Sequence, residues 1–523
     1  MVRVTLWAMP EIVLATLNAK FIHAAFGLRY LFANLGELQP RAAIVEFDIN
    51  QRPLDLAEAL LARAPRIIGL GVYIWNVRET TEVVATLKRV RPDLKIILGG
   101  PEVSFETEGQ EIVRLADHVI TGEADLKFAE VCRELLSDDP PARRDREGLP
   151  KIIPAGLPDF THLALPYAWY TEADLAHRIV YVEASRGCPF TCEFCLSSLE
   201  IPVRAVPLEK FLGEMQKLLD RGLKQFKFVD RTFNLNLATS RTILEFFLAR
   251  HQPGNFYHFE MIPDRLPAEL REVIALFPPG VLQFEVGVQT FNPEVGRHIS
   301  RRQNYERLAD NFEFLRQSTR VHLHADLIVG LPGETVESFA SGFDRLVALG
   351  PQEIQVGILK RLRGTPIIRH DTEWQMVYGA QPPYEILQNR LIDFAMMQRL
   401  RRFAKYWDLV GNSGNFVGTR PLIWGQASPF AHFLRLSDWL YARLGRTDTI
   451  ALARLAEGVF GFLTGELNLD GAVVAKVMAE DWRRLGRREA PGFLRGFLAV
   501  ENGAPARGHQ ASLLKRQARH LAE

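Results

Sequence analysis

Cysteine is scarce: the chain has 4 in 523 residues, too few for a disulfide scaffold. No charge sign is in excess. Lys plus Arg total 63 and Asp plus Glu total 62, a net charge of +1, so a general nucleic-acid or anionic-membrane binder lacks its electrostatic footprint. No run of about 18 apolar residues is present to span a membrane. Residues 1–20 lack the apolar core and small-residue cleavage site of a signal peptide, and a cytoplasmic location is expected. What is present is ordinary for a globular chain: 47% hydrophobic and 24% charged residues. At roughly 150 residues per domain, the length suggests three or four domains.

The first 140 residues alternate short β-branched runs (12–17, 43–47, 67–74, 95–98 and 118–121) with helical patterns. That alternation predicts an α/β domain with a five-stranded parallel sheet, whose ligands sit beyond the carboxyl ends of the strands. Asn18, Tyr73–Asn76, Gly99-Gly100-Pro101-Glu102 and Gly122-Glu123 lie at those ends. Gly99-Gly100 would let backbone approach a ligand closely, although a tight turn needs the same pair. A Pro-rich, charged stretch at 137–146 marks a linker, taken as 141–175. Strand–helix alternation resumes over 176–366, with strands expected at 179–184, 225–229, 257–261, 282–288, 322–329 and 353–358. Six such units predict an open or partial (βα)6 barrel of the TIM type. Residues 367–523 read as mostly helical, with a long helix at 383–407 and a solvated tail carrying Arg516 and Arg519.

Three of the four cysteines fall between Cys188 and Cys195, in Cys188-Pro-Phe-Thr-Cys192-Glu-Phe194-Cys195. Thiolate sulfur is the ligand of iron–sulfur clusters. Three cysteines on one loop can hold three irons of a cubane and leave the fourth open. The alternatives are a structural zinc site or free thiols. Zinc ordinarily takes four protein ligands, and no second cysteine pair exists; His322 and His324 are distant in the chain.

The C-x3-C-x2-C spacing, with Phe194 before the last cysteine and a barrel-type strand upstream, resembles the radical S-adenosylmethionine (SAM) superfamily. The resemblance implies a [4Fe-4S] cluster on Cys188, Cys192 and Cys195, with SAM chelating the open iron. It also implies a low-potential electron donor of the flavodoxin or ferredoxin type. Downstream, Phe259-Glu260-Met-Ile-Pro-Asp264, Glu285-Val-Gly-Val-Gln289 and Asp326-Leu-Ile-Val-Gly330-Leu-Pro-Gly333-Glu334-Thr335 are similar to the branch containing oxygen-independent coproporphyrinogen III dehydrogenase. By that similarity Glu260 and Gln289 contact SAM, Arg301 meets its carboxylate and Asp326 lies beside the adenine. The branch's G-G-E motif is missing. Asp230, in Phe228-Val-Asp230-Arg231, is taken as its substitute.

An α/β domain, a linker, a radical SAM barrel and a helical tail together resemble the cobalamin-binding radical SAM class, in an uncharacterised subgroup with a C-terminal domain of unknown function. This implies cobalamin as a third cofactor, with Asn18, Gly99, Gly100 and Glu123 at its site. His23 lacks the Asp-x-His-x-x-Gly context of a cobalt ligand and reads as a helix-start residue. Trp75, Tyr170, Phe233, Phe291 and Trp424 are aromatics of the kind that mostly fill cores. Cys132 lies in a helical apolar stripe and reads as packing.

The expected activity is radical methylation of an unactivated carbon on a small-molecule or peptide substrate. The alternatives are a cobalamin-assisted cyclisation or rearrangement without methyl transfer, and a non-catalytic cobalamin or redox sensor. A tRNA methylthiotransferase would need further cluster cysteines and a basic module, and Cys132 is the sole cysteine before Cys188. No nucleic-acid partner is expected. Anaerobically purified protein should carry about four irons per chain and a broad visible absorption, both lost in a Cys188→Ala/Cys192→Ala/Cys195→Ala variant. Zinc in place of iron would overturn the cluster assignment.

Overall fold

The computed structural model describes residues 9–137, 149–487, 491–494, 496–497 and 516–521. Its first sheet has six parallel strands, in the order Ala42–Asp48, Ile12–Asn18, Ile67–Gly71, Lys95–Gly99, His118–Thr121 and Ile152–Pro154. Ile12–Asn18 is buried along its whole length, because helices cover both faces of the sheet. Five strands were expected. The sixth, Ile152–Pro154, comes from the stretch read as linker, which also supplies the helix Glu172–His177. Three residues ending in proline are too short to register as alternation. The Pro-rich residues 138–148 lie outside the described residues.

The second sheet is also parallel and six-stranded. Its order is Glu353–Ile358, His322–Val329, Leu282–Gln289, Phe256–Met261, Gln225–Phe228 and Val180–Val182. Each strand but the first is preceded by a crossover helix, and the sheet curls as an open barrel. The carboxyl ends of Val180–Val182, Phe256–Met261, Leu282–Gln289 and His322–Val329 lead into the residues singled out above.

The C-terminal region is helical, built on Phe394–Val410, Pro429–Leu444, Leu452–Gly461 and Gly471–Arg484. The helix expected from 383 begins only at Phe394. Pro383 follows another proline, Ile386–Gln388 pairs with Val377–Tyr378 as a strand, and the Asp393 side chain accepts from the Met396 N–H at 2.8 Å to cap the helix. Trp407 packs edge-on against Phe343 of the barrel helix Val336–Leu349 and against Phe433, at 4.7 and 4.8 Å. The tail is not a solvated face in its described part. Arg516 pairs with Glu353 at 3.1 Å and the His520 ring lies 5.3 Å from His322, so this segment covers the amino-terminal end of the barrel. Among the described residues, no helix is long and apolar enough to cross a membrane.

The α/β unit and the barrel are joined by buried charge. Arg29, on the helix Phe26–Ala33, pairs with Glu46 of its own sheet at 2.9 Å and with Asp174 beside the first barrel strand at 2.8 Å. Arg178 reaches Glu46 from the other side at 2.6 Å. Removing one member of a buried pair strands the remaining charge. Arg29→Ala should therefore lower unfolding stability by about 3–5 kcal/mol, read by urea denaturation; a loss below about 1 kcal/mol would mean that Arg178 alone suffices.

Candidate active site at the barrel mouth

The cysteine loop leaves the strand Val180–Val182 through Arg186-Gly187. Gly187 has φ +94°, and a Cβ there would sit 2.4 Å from the Glu200 carbonyl oxygen, so glycine is required for the close return of the chain. The Cys188 N–H donates to that carbonyl at 3.2 Å, the Cys195 N–H to Cys192 O at 3.1 Å and the Ser198 hydroxyl to Cys195 O at 2.6 Å. Between the cysteines, buried Glu193 is bound by Ser300 at 2.6 Å, His370 at 2.9 Å and Arg369. The loop is thus held from the far end of the barrel as well as from its root. Arg301 lies 3.5 Å from Cys192 Sγ. Burial pushes the metal-free Cys188 thiol up.

The three cysteines line one cavity of about 290 Å³ together with Phe194, Glu260, Gln289, Arg301 and Asp326. Gln289 ends its strand at φ +70°, with its side chain folded back over Gly287, where a Cβ would meet its amide at 2.6 Å. That contact is a physical reason for glycine two residues before the glutamine. Arg301 donates to the Gly287 carbonyl. Glu260 is held by the Arg231 guanidinium at 2.8 and 3.1 Å. Burial, with Glu285 and Glu260 nearby, raises Asp326 well above the usual carboxylate range, and the His324 ring lies 3.5 Å from its Oδ1. Buried Gln289 Oε1, Arg301 Nε and Asp326 Oδ1 have no hydrogen-bond partner among the described residues.

Asp230 departs from expectation. It does not line the cavity; it accepts from the Ala184 N–H at 3.0 Å and the Ser185 hydroxyl at 2.6 Å, fixing the strand exit beneath the cysteine loop, and burial pushes its carboxyl up to about 7. The neighbouring Arg231 lines the cavity instead, as does Glu285, which His258 meets at 3.0 Å and holds down to about 2 despite burial. Strand alternation was the available signal for Glu285, the register partner of Glu260; Arg231 lies past the end of its strand.

Residues 182–346 match the family model of the radical SAM superfamily, residues 12–132 that of the B12 binding domain, and residues 372–518 that of a protein of unknown function, DUF4080. The chain is a radical SAM protein with a B12 binding domain. It is 24% identical over 381 residues to a 2-(S-pantetheinyl)-carbapenam-3-carboxylate methyltransferase from Streptantibioticus cattleyicolor, covering 64% of this chain and 53% of that one. It is 24% identical over 340 residues to the cobalamin-dependent radical SAM methyltransferase TokK of Streptomyces tokunonensis, covering 56% and 47%. The chain thus spans about half the length of these curated relatives. Among solved structures, it resembles the radical SAM methyltransferase TsrM from Kitasatospora setae with a TM-score of 0.53 and 16% identity, over 72% of this chain and 82% of that one, a likeness of fold.

The family models imply three cofactors for this chain: a [4Fe-4S] cluster, SAM and cobalamin. The residues present fit the first two. Three thiols and unpartnered donor and acceptor atoms of Arg301, Gln289 and Asp326 surround one cavity.

At the B12 binding domain's strand ends the fit is through backbone. Gly100 has φ +111°, and a Cβ would fall 2.4 Å from the Val72 carbonyl oxygen; Gly99 beside it is half-buried and open. Trp75, 46% exposed, stacks on Tyr73 at 4.4 Å and offers an aromatic face. Asn18 and Glu123, expected at the corrin, have their side chains engaged elsewhere. Asn18 donates to Glu46 at 3.0 Å, and Glu123 pairs with Arg186 at 2.8 Å and with Arg204. His23 Nδ1 lies 2.6 Å from the Tyr181 hydroxyl of the barrel. Tyr170 and Phe233 are core residues, and the Cys132 thiol, buried in its helix, is pushed up to about 12.

Glu334, in the Gly-Leu-Pro-Gly-Glu-Thr turn, accepts from Thr290 Oγ1 at 2.7 Å behind Gln289, and burial pushes it up to about 7. The folded chain therefore binds a proton between pH 4.5 and about 7 that the unfolded chain releases, and stability falls as pH rises through that window. The side chain's contribution to the pH slope should reach about 3 kcal/mol and vanish in Glu334→Gln, measured by denaturation of both proteins across pH 5–8. Parallel pH profiles would refute it.

Proposed function

We propose that this protein is a radical SAM enzyme that reductively cleaves SAM and, with cobalamin, methylates an unactivated carbon of a small-molecule or peptide substrate. The observation that carries this reading is the single cavity shared by three thiols and the unsatisfied polar atoms of Arg301, Gln289 and Asp326, in a chain that also carries a B12 binding domain. When bound, the cluster supplies the electron that breaks a carbon–sulfur bond of SAM, and cobalamin carries the methyl group.

The chain's own residues do the rest. Cys188, Cys192 and Cys195 would ligate three irons, and Arg301, beside Cys192 Sγ, would balance thiolate charge and hold a carboxylate. Gln289 and Glu260 would orient hydroxyl groups. Asp326, its carboxyl pushed well up by burial, would serve as a hydrogen-bond donor, whereas Glu285 remains a charged acceptor. Phe190, Phe194, Met261 and Ile262 line the same cavity and would exclude water. A flavodoxin or ferredoxin type donor in the cytoplasm would supply the electron. The exposed Phe190 and Leu199, next to the cluster loop, offer it a docking edge. In this reading the domains divide as 1–140, 141–175, 176–366 and 367–523, with Ile152–Pro154 of the second stretch completing the first sheet.

The test is anaerobic turnover of cobalamin-loaded protein with SAM, a low-potential reductant and candidate substrates. Methyl transfer yields both S-adenosylhomocysteine and 5′-deoxyadenosine. 5′-Deoxyadenosine alone would favour cyclisation or rearrangement, and neither product would favour a sensor and overturn the proposal. Arg301→Ala should slow 5′-deoxyadenosine formation by roughly 10- to 1,000-fold.

A further inference from the structure

Five acidic side chains near the carboxyl edge of the B12 binding domain are met by arginines from outside that domain. Glu46 takes Arg178, Glu102 takes Arg363 at 2.8 Å, Glu106 takes Arg361 at 3.1 Å, and Glu123 and Asp125 take Arg186 at 2.8 and 3.0 Å. One of these arginines differs from the others. Arg186 is two residues before Cys188 and forms the root of the cysteine loop. Its guanidinium is gripped by three carboxylates, Glu123, Asp125 and Glu183, the last at 2.7 Å. It also lies between the Tyr30 and Phe160 rings, 4.9 and 5.0 Å from their centroids. Glu123 in turn binds Arg204, whose backbone pairs with Arg186 in the antiparallel bridge that closes the same loop.

We propose that Glu123 and Asp125 are positioning residues for the cysteine loop: they act through Arg186 to set how the three thiols present the cluster to SAM, and they do not hold cobalamin. This rests on the reading above that Cys188, Cys192 and Cys195 carry the cluster. The physical basis is rigidity. A planar guanidinium held by three carboxylates and two rings has one orientation, and Gly187, the single residue between Arg186 and Cys188, otherwise permits many. Groups outside the ligand set that orient ligands commonly govern affinity and activity by 10- to 100-fold. The same contacts tie the loop to the turn Gly122-Glu123-Ala124-Asp125, so the domain that carries the second cofactor also sets the geometry of the first.

The experiment uses full-length protein reconstituted anaerobically with iron, sulfide and hydroxocobalamin. Iron and cobalt per chain are measured, with electron paramagnetic resonance spectra of the reduced cluster during SAM titration, for wild type, Glu123→Gln, Asp125→Asn and Glu123→Asp. The expected result is unchanged iron and cobalt, with roughly 10- to 100-fold more SAM needed to produce the spectral change in Glu123→Gln and Asp125→Asn. Glu123→Asp, which keeps the charge, should lie nearer wild type. Loss of cobalt with an unaltered SAM titration would make Glu123 a corrin contact and overturn the proposal, as would variants identical to wild type in every measurement. If Glu123→Gln fails to fold, Asp125→Asn and Glu123→Asp still decide between these outcomes. A wild-type cluster that does not respond to SAM would instead refute the underlying cluster reading.

Discussion

The structure depends on ion pairs, most of them buried, that tie the α/β unit to the barrel. Arg29, Arg178, Arg186, Arg204, Arg361 and Arg363 meet Glu46, Asp174, Glu123, Asp125, Glu106 and Glu102. Such pairs add little net stability over apolar contacts, because desolvation offsets the attraction. What they impose is register. A planar fork bound by two or three carboxylates does not slide as an apolar seam can. The two carboxyl edges, where ligands of parallel α/β sheets collect, are thereby held facing each other.

Within the barrel, charge is handled differently. The mouth holds Arg301, Arg231, Glu260, Glu285 and Asp326 in one cavity, and their environments push the carboxyls apart. Glu285, paired with His258, stays ionised; Asp326 is pushed well up by burial. Two acids two strand positions apart in register thus have carboxyls shifted in opposite directions. The cysteine loop over this cavity is fastened at two points, by Arg186 at its root and by Glu193 to His370 between its second and third cysteines.

Much of this was legible in the sequence for identifiable reasons. The cysteine spacing is local, and a C-x3-C-x2-C loop brings its thiols to one place whatever surrounds it. Gln289, Arg301 and Asp326 were legible because their neighbours, Gly287 among them, are constrained by the same geometry. Asp230 and Glu123 were expected to meet cofactors, but each carboxylate is engaged by a partner 45 or 63 residues away, Ser185 or Arg186. The strand Ile152–Pro154 and the helix start at Phe394 escaped because three residues and a proline-rich approach carry no periodicity.

The sequence by itself determined the two parallel α/β units, the thiol trio and the residues of the barrel mouth, because each is written in spacing over a few residues or in strand–helix alternation. Only the tertiary structure decided which side chains are free to meet a ligand and which are spent on holding the domains. That choice turns on pairings across 60 to 280 residues of chain, such as Arg186 with Glu123 and Tyr384 with Glu102, and no local pattern encodes them.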